Sequence, residues 1–185
     1  AYIQLNVEKY GGMICSPWLD RPLSVAGRVL VKSVKGVETK LVNIDRDLLI
    51  IPNLAIHMNR EVNDGYKFNA QKDMLPLFST IEGKGSFKKI VADAISVKEE
   101  SILDWDLFLY NRQKATILGG KEEFIASGRL DDLQCAFSSL QGILAAKPKA
   151  SVALHCVYDN EEVGRGTKQG ADSSFLKDLL NRILY

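Results

Sequence analysis

Cysteine and histidine are scarce in this sequence of 185 residues, which contains three cysteines and two histidines. Cys15, Cys135 and Cys156 are far apart, odd in number and embedded in apolar sequence. Zinc-finger spacing is therefore absent, and so is the regular spacing of a disulfide framework. We expect the three cysteines to be reduced core residues of a cytoplasmic protein.

An excess of charge of one sign is also absent. The 24 basic and 23 acidic residues give a formal net charge of +1, which argues against nucleic-acid binding driven by bulk charge. No apolar run approaches the ~18 residues that a membrane span needs, and the first residues show no signal-peptide pattern. We expect a globular protein that has neither a nucleic acid nor a membrane as its partner.

The two ends of the sequence resemble the interiors of structural elements. The sequence begins "AYIQLNVEKYGG", without Met and already in a strand-like alternation, and it ends "LLNRILY" in a helix-like pattern. We therefore expect the chain to be a piece of a longer polypeptide.

The first two thirds of the sequence predict mainly β-strands. "RVLVKSVKGVETKLVNI" alternates on both sides of Lys35-Gly36, which predicts a hairpin. "DLLIIPNLAIHMN" is interrupted by Pro52, as in a broken or edge strand, and residues 61–80 are predicted to be a long loop. A helix follows from Gly85, with Ser86 as its N-cap. Two further strands are predicted in "DWDLFLYN" and "KATILGG".

The last third predicts two amphipathic helices, in "LDDLQCAFSSLQGILAA" and "DSSFLKDLLNRIL", on either side of the apolar run "SVALHCVY". That run has the pattern of a central, buried parallel strand. The order helix, strand, loop, helix predicts an α/β layer. We place a boundary near residue 125, with a β-rich module at 1–125 and part of an α/β domain at 126–185.

Three carboxylates, Asp159, Glu161 and Glu162, follow the apolar run directly. Clustered carboxylates repel one another and need a compensating positive charge. In an open α/β sheet this position is the ligand-binding end of the strand. Because adjacent residues of an extended chain point in opposite directions, one glutamate can bind a metal while its neighbour faces a water. Asp131, before a helix, can supply a second carboxylate. The alternative is a solvated acidic loop.

Two other features have open interpretations. "GRGTKQG" lacks the ending of a P-loop, and the two preceding glutamates would repel phosphate, so a tight turn is the better interpretation. His155 lies in the predicted strand and is interpreted as a core histidine. His57 can be a surface residue, a ligand or a catalytic group.

Four segments in the same order resemble the aspartyl aminopeptidase family, also called the aminopeptidase I family of metallopeptidases, over nearly the whole chain. They are "VEKYGGMICSPWLDRPLSVAGRV", "LVNIDRDLLIIPNLAIHMNREVN", "GRLDDLQCAFSSLQGI" and "VYDNEEVGRGTKQGADSSFL". Their order makes the resemblance far more specific than any one of them.

The resemblance implies a site with two divalent metal ions, with zinc preferred and manganese or cobalt as alternatives. Asp131 would bridge the two ions, Glu162 would bind one of them, and Glu161 would be the general base. His57 would reach into the active site of the adjacent subunit. The implied fold is a three-layer α/β catalytic domain with an inserted β-rich domain that builds dimers and larger homo-oligomers. The implied substrates are peptides, from which N-terminal residues are removed, and some members of the family prefer acidic ones.

The sequence also departs from the family pattern. One metal-binding His of the family lies before the segment where this chain starts, and an Asp and a His ligand lie beyond its end. Arg165 stands where the family usually has a small residue. We therefore expect the 185-residue chain alone to be inactive, and we keep as an alternative a non-catalytic oligomerisation or peptide-binding module.

Overall fold

The computed structural model describes residues 1–184 and has mixed α/β content, as predicted. The chain divides into two compact units. The first comprises Ala1–Glu8 and Ile14–Lys114, and the second comprises Lys9–Met13 and the chain from Ala115 onward. The predicted domain boundary at residue 125 stays a prediction.

Strands make three small antiparallel sheets. In residues 1–184 the strands are β1 (Tyr2–Gln4), β2 (Leu23–Ser33), β3 (Gly36–Asn43), β4 (Leu77–Thr80), β5 (Ile102–Asn111), β6 (Thr116–Leu118) and β7 (Phe124–Ala126). The order β3-β2-β5 forms the largest sheet, while β1 pairs with β4 and β6 with β7. The first two of these sheets belong to the first unit and the third to the second.

The predicted hairpin is present as β2 and β3. Ser33 pairs with Gly36, so Val34 and Lys35 form the turn, one residue earlier than predicted. Gly36 has a φ of 112°, a conformation that glycine adopts without steric cost. The segment interrupted by Pro52 is a broken strand, as predicted. Before the proline, Leu49, Ile50 and Ile51 each make an isolated β-bridge and no continuous ladder.

Helical periodicity predicted three of the helices in residues 1–184. The helices are α1 (Ala70–Asp73), α2 (Ser86–Ala94), α3 (Leu130–Ala145) and α4 (Phe175–Leu184). The predicted N-cap of α2 is wrong by one residue: the cap is Gly85, with a φ of 81°. The Ser86 hydroxyl instead donates to the carbonyl of Gly83 at 2.8 Å.

The buried apolar core of the described residues lies in the first unit. Leu23 and Val29 of β2 are fully buried, and so is Val91 of α2. The one buried polar side chain among residues 1–184, Ser24, donates its hydroxyl to the carbonyl of Ile44. The remaining core residues are Leu19, Val25, Val31, Val42, Ile44, Leu49, Ile51, Met74, Ala92 and Ile102.

Residues 61–80, predicted as a long loop, contain a helix and a strand. Leu77 exchanges two backbone hydrogen bonds with Ile50, and β4 pairs with β1. The strand was missed because its partners, Ile50 and β1, are far away in the sequence, so the polarity of residues 61–80 does not reveal the pairing.

The predicted buried strand in "SVALHCVY" is wrong for this structure. Val152–Tyr158 have no regular secondary structure, and Val152 is 94% exposed. A strand requires a hydrogen-bonded neighbour, and residues 1–184 offer none to this segment. His155 is accordingly half-buried and lies outside any strand, so its interpretation as a core histidine is also wrong.

The prediction of core cysteines is wrong as well. All three are free, with Cys15 half-buried and the other two exposed.

Over residues 1–184, no helix combines the length and the apolarity that crossing a membrane would require.

The burial of β2 predicts a strong effect of Leu23→Ala on stability. Because Leu23 is fully buried, we expect the free energy of unfolding to fall by roughly 2–5 kcal/mol. Val34→Ala is the control, since Val34 in the β2–β3 turn is fully exposed and its truncation should change stability by no more than about 0.5 kcal/mol. Urea unfolding followed by tryptophan fluorescence measures both. Equal effects would show that β2 is not the centre of the core.

Candidate active site

Asn160 organises the loop that carries Glu161 and Glu162. Its φ is 63°, a left-handed conformation that asparagine tolerates better than most residues. Its side-chain amide donates to the hydroxyl of Thr167 at 3.2 Å and to the side-chain carbonyl of Gln169 at 3.3 Å. One side chain therefore joins the start of the loop to its later part.

The rest of the loop is a compact series of turns. The N–H of Gly164 donates to the carbonyls of Asn160 and Glu161, both at 3.0 Å. Arg165 forms an ion pair with Asp172 at 3.0 Å. A side chain at Gly170 would overlap the Arg165 carbonyl, which is the tight packing that the glycine-rich sequence predicted.

Glu161 and Glu162 lie in a turn, not in an extended chain. Their side chains are therefore not directed to opposite sides as they would be in a strand. Their separate roles rest on the family resemblance alone.

Two more carboxylates begin helix α3. Asp131 has φ −81° and ψ 114°, so its backbone is extended rather than helical. The pKa of Asp132 is raised, first by a side-chain hydrogen bond with Asp131 and then by the negative charge of that residue. Desolvation and the negative charges of Glu161 and Glu162 raise this pKa further. The structure thus brings the carboxylates of the two predicted segments within electrostatic reach of one another.

The donor chemistry of Asp131 and Glu162 fits a divalent metal. Carboxylate oxygens are suitable ligands for Zn²⁺ and Mn²⁺. Zinc sites normally have about three protein ligands or more, and residues 1–184 contain no group of three His, Cys, Asp or Glu side chains arranged to hold an ion. Asp131 and Glu162 alone are therefore too few to complete a zinc site.

The "KYGG" segment packs directly against the acidic loop. Gly11 has a φ of 63°, and an added Cβ there would overlap the backbone carbonyl of Glu162. The Tyr10 hydroxyl lies 3.5 Å from the side-chain oxygen of Asn160. The backbone of a predicted metal ligand is thus in contact with a segment about 150 residues earlier in the chain.

His57 belongs to the first unit, where it is exposed in the turn Ile56–Met58. The carbonyl of Ala55 closes this turn by accepting the N–H groups of Met58 at 2.8 Å and Asn59 at 3.2 Å. The four predicted site residues therefore belong to different units, with the three carboxylates in the second.

Sequence reasoning missed the supporting residues Gly11 and Asn160. Two signals were available. The paired glycines of "YGG" permit close backbone approach, and asparagine, which follows Asp159, is a residue type common at left-handed positions. Neither signal identifies the partner, because each contact joins residues distant in the sequence.

The comparisons with known proteins agree with one another. The model of the family "Aminopeptidase I zinc metalloprotease (M18)" matches residues 1–185. A probable M18 family aminopeptidase 2 from Clostridium acetobutylicum is 50% identical over the whole chain, which spans 44% of that relative. The structure of Chaetomium thermophilum mApe1 is similar over 99% of this chain and 45% of its own, with a TM-score of 0.83 and 33% identity.

A third structure, the S. cerevisiae mApe1 dodecamer, is similar over 98% of this chain and 42% of its own, with a TM-score of 0.72 and 27% identity. The chain thus spans less than half the length of the relatives it matches. Since the family model covers every residue, this chain belongs to the M18 family of zinc aminopeptidases.

Proposed function

We propose that the chain is the oligomerisation module and part of the catalytic domain of a metal-dependent aminopeptidase. The observation that carries this proposal is the family match over every residue. The grouping of Asp131, Asp132, Glu161 and Glu162 in one unit supports it. The complete enzyme would remove N-terminal residues, acidic ones among them, from peptides.

Each site residue has a distinct role in this proposal. Asp131 would be shared by two metal ions, with zinc preferred over manganese or cobalt, and Glu162 would bind one of them. Bound divalent ions supply positive charge that polarises a carbonyl and acidifies water. Glu161 takes the proton of the attacking water and delivers it to the leaving amine, which is general acid–base catalysis by one carboxylate.

The architecture in this proposal is a three-layer α/β catalytic domain with an inserted β-rich domain, assembled as a homo-oligomer built on dimers. The similarity to a dodecameric aminopeptidase supports the oligomer. The edge strand β3 supports it as well. This strand exposes the apolar side chains of Val37 and Leu41, and the unpaired backbone groups of an edge strand favour pairing with another chain. Three free cysteines support a reducing, cytoplasmic location.

A non-catalytic assembly or peptide-binding module is the second candidate. It is favoured by the incomplete ligand set of residues 1–184 and by Arg165 in the acidic loop. The coding sequence on either side of this chain separates the two candidates, since only an enzyme requires further His and Asp ligands there.

The assigned roles predict different effects for the two glutamates in the full-length protein. Glu161→Gln should retain metal but lower the rate by roughly 10²–10⁴-fold, because the base is lost and the shape is kept. Glu162→Gln should lower the metal content instead. Elemental analysis and hydrolysis of an aminoacyl chromogenic substrate measure both, and the reverse pattern would mean that the two assignments are exchanged.

The contact of Gly11 with Glu162 predicts a second effect on the metal. Gly11→Ala in the full-length protein must displace the Glu162 backbone. We therefore expect metal affinity to fall by about 10–100-fold, as it does when other residues that support a metal ligand are changed. Gly12→Ala is the matched control, because its Cβ would meet no atom within 4 Å. Competition with a chelator measures the affinities. Equal affinities in the two variants would exclude a supporting role for Gly11.

The role proposed for His57 predicts complementation between two inactive variants. In an isologous dimer each subunit completes the site of the other, and a donor aimed at a developing oxyanion is worth roughly 10²–10³-fold in rate. Full-length His57→Ala and Glu161→Gln should each be nearly inactive. When their subunits exchange, a site with intact Glu161 receives His57 from the other variant, and partial activity should return.

Subunit exchange must be verified in the same sample with two fluorescent labels. Absence of activity after verified exchange would exclude the action of His57 across the interface. Full activity of His57→Ala alone would exclude any catalytic role for this residue.

A further inference from the structure

Two of the sequence segments described above, "WLDR" and "IPNLAIH", meet in the first unit. Leu19 and Ile51 form a parallel bridge. The N–H of Asp20 donates to the Ile51 carbonyl at 2.9 Å. Asp20 therefore lies directly beside the start of the segment that carries His57.

Both carboxylate oxygens of Asp20 are used by one residue. The backbone N–H of Asn53 donates to Oδ1 of Asp20, and the side-chain amide of Asn53 donates to Oδ2, each at 2.8 Å. The two bonds with Asn53, first the backbone bond and then the side-chain bond, lower the pKa of Asp20. Both residues are exposed, so the contact matters through its geometry: this Asp20–Asn53 clamp fixes Asn53 at its backbone and at its side chain.

Burial does not hold the segment that follows the clamp. Leu54, Ile56 and Met58 are between 48% and 74% exposed. His57 is four residues after Asn53, and the hydrogen bonds that close the turn around it in residues 1–184 are local backbone bonds to the carbonyls of Ala55 and Ile56. The position of the turn relative to the sheet therefore depends on where Asn53 is fixed.

We propose that Asp20 is a positioning residue for His57: by holding Asn53 at two points it sets where the His57 turn is presented. This inference rests on the proposed function of His57. It assigns to the "WLDR" segment a part in the reaction although Asp20 does not touch the substrate.

The test breaks the clamp and then rebuilds it in the full-length oligomer. Asn53→Asp places a carboxylate opposite that of Asp20 and should lower kcat by roughly 10–100-fold, the effect of a small misplacement of a catalytic group. The double variant Asp20→Asn/Asn53→Asp restores the clamp with the amide and the carboxylate exchanged. It should recover kcat to within about threefold, because the broken contact is a coupled pair.

Asp64→Asn is the matched control, since it removes the charge of an exposed aspartate that follows His57 in the sequence and should leave kcat unchanged. Thermal midpoints and oligomer size are measured for each variant. If Asn53→Asp does not assemble, Asn53→Ala replaces it, because that change removes only the side-chain half of the clamp.

A second background separates this inference from the function on which it rests. In His57→Ala, breaking the clamp should lower kcat no further, because the residue that it positions is gone. If Asn53→Asp lowered kcat by the same factor in the His57→Ala background, the positioning role would be overturned while His57 stayed catalytic. The same conclusion would follow if kcat did not recover in the double variant Asp20→Asn/Asn53→Asp. Full activity of His57→Ala would overturn both.

Discussion

Mutual repulsion of carboxylates is the constraint on which the proposed site depends. Asp131 and Asp132 begin one helix, Glu161 and Glu162 follow a distant segment of the same unit, and the charges of the other three carboxylates act on Asp132. Like charges at such positions disfavour ionisation. The pKa of Asp132 is raised first by its hydrogen bond with Asp131, and the negative charges of Asp131, Glu161 and Glu162 act in the same direction. A divalent cation reverses the balance, because it makes the same grouping favourable. The family to which the chain belongs is described as one of zinc metalloproteases, and zinc is the cation that we propose for this site.

The two units differ in how they bury apolar surface. The first has a core around β2, whereas the second buries no apolar side chain among the described residues and leaves many of them exposed. Phe137 on α3 and Phe175 on α4 are 63% and 64% exposed. Amphipathic helices gain most of their stability from packing of the apolar face. We therefore expect further parts of the proposed catalytic domain to cover these faces in the full-length protein.

Local patterns in the sequence predicted the elements whose partners are near in the chain. The β2–β3 hairpin and the helices α2, α3 and α4 follow from periodicity within a few residues. The failures concern distant pairing: β4 depends on β1, and "SVALHCVY" has the composition of a central strand without a partner in residues 1–184. In the site, motifs identified the carboxylates, but the contacts of Gly11 with Glu162 and of Asp20 with Asn53 cross long stretches of sequence.

The central claim, that Asp131 and Glu162 hold metal while Glu161 does not, is tested most directly by anomalous diffraction at the zinc edge from crystals of the full-length protein. Our account predicts two anomalous peaks, both within roughly 2.0–2.2 Å of Asp131 oxygens. One of them should also lie at this distance from Glu162, and neither should be bound by Glu161. Peaks bound by Glu161 in place of Glu162, or no peak beside Asp131, would contradict the account.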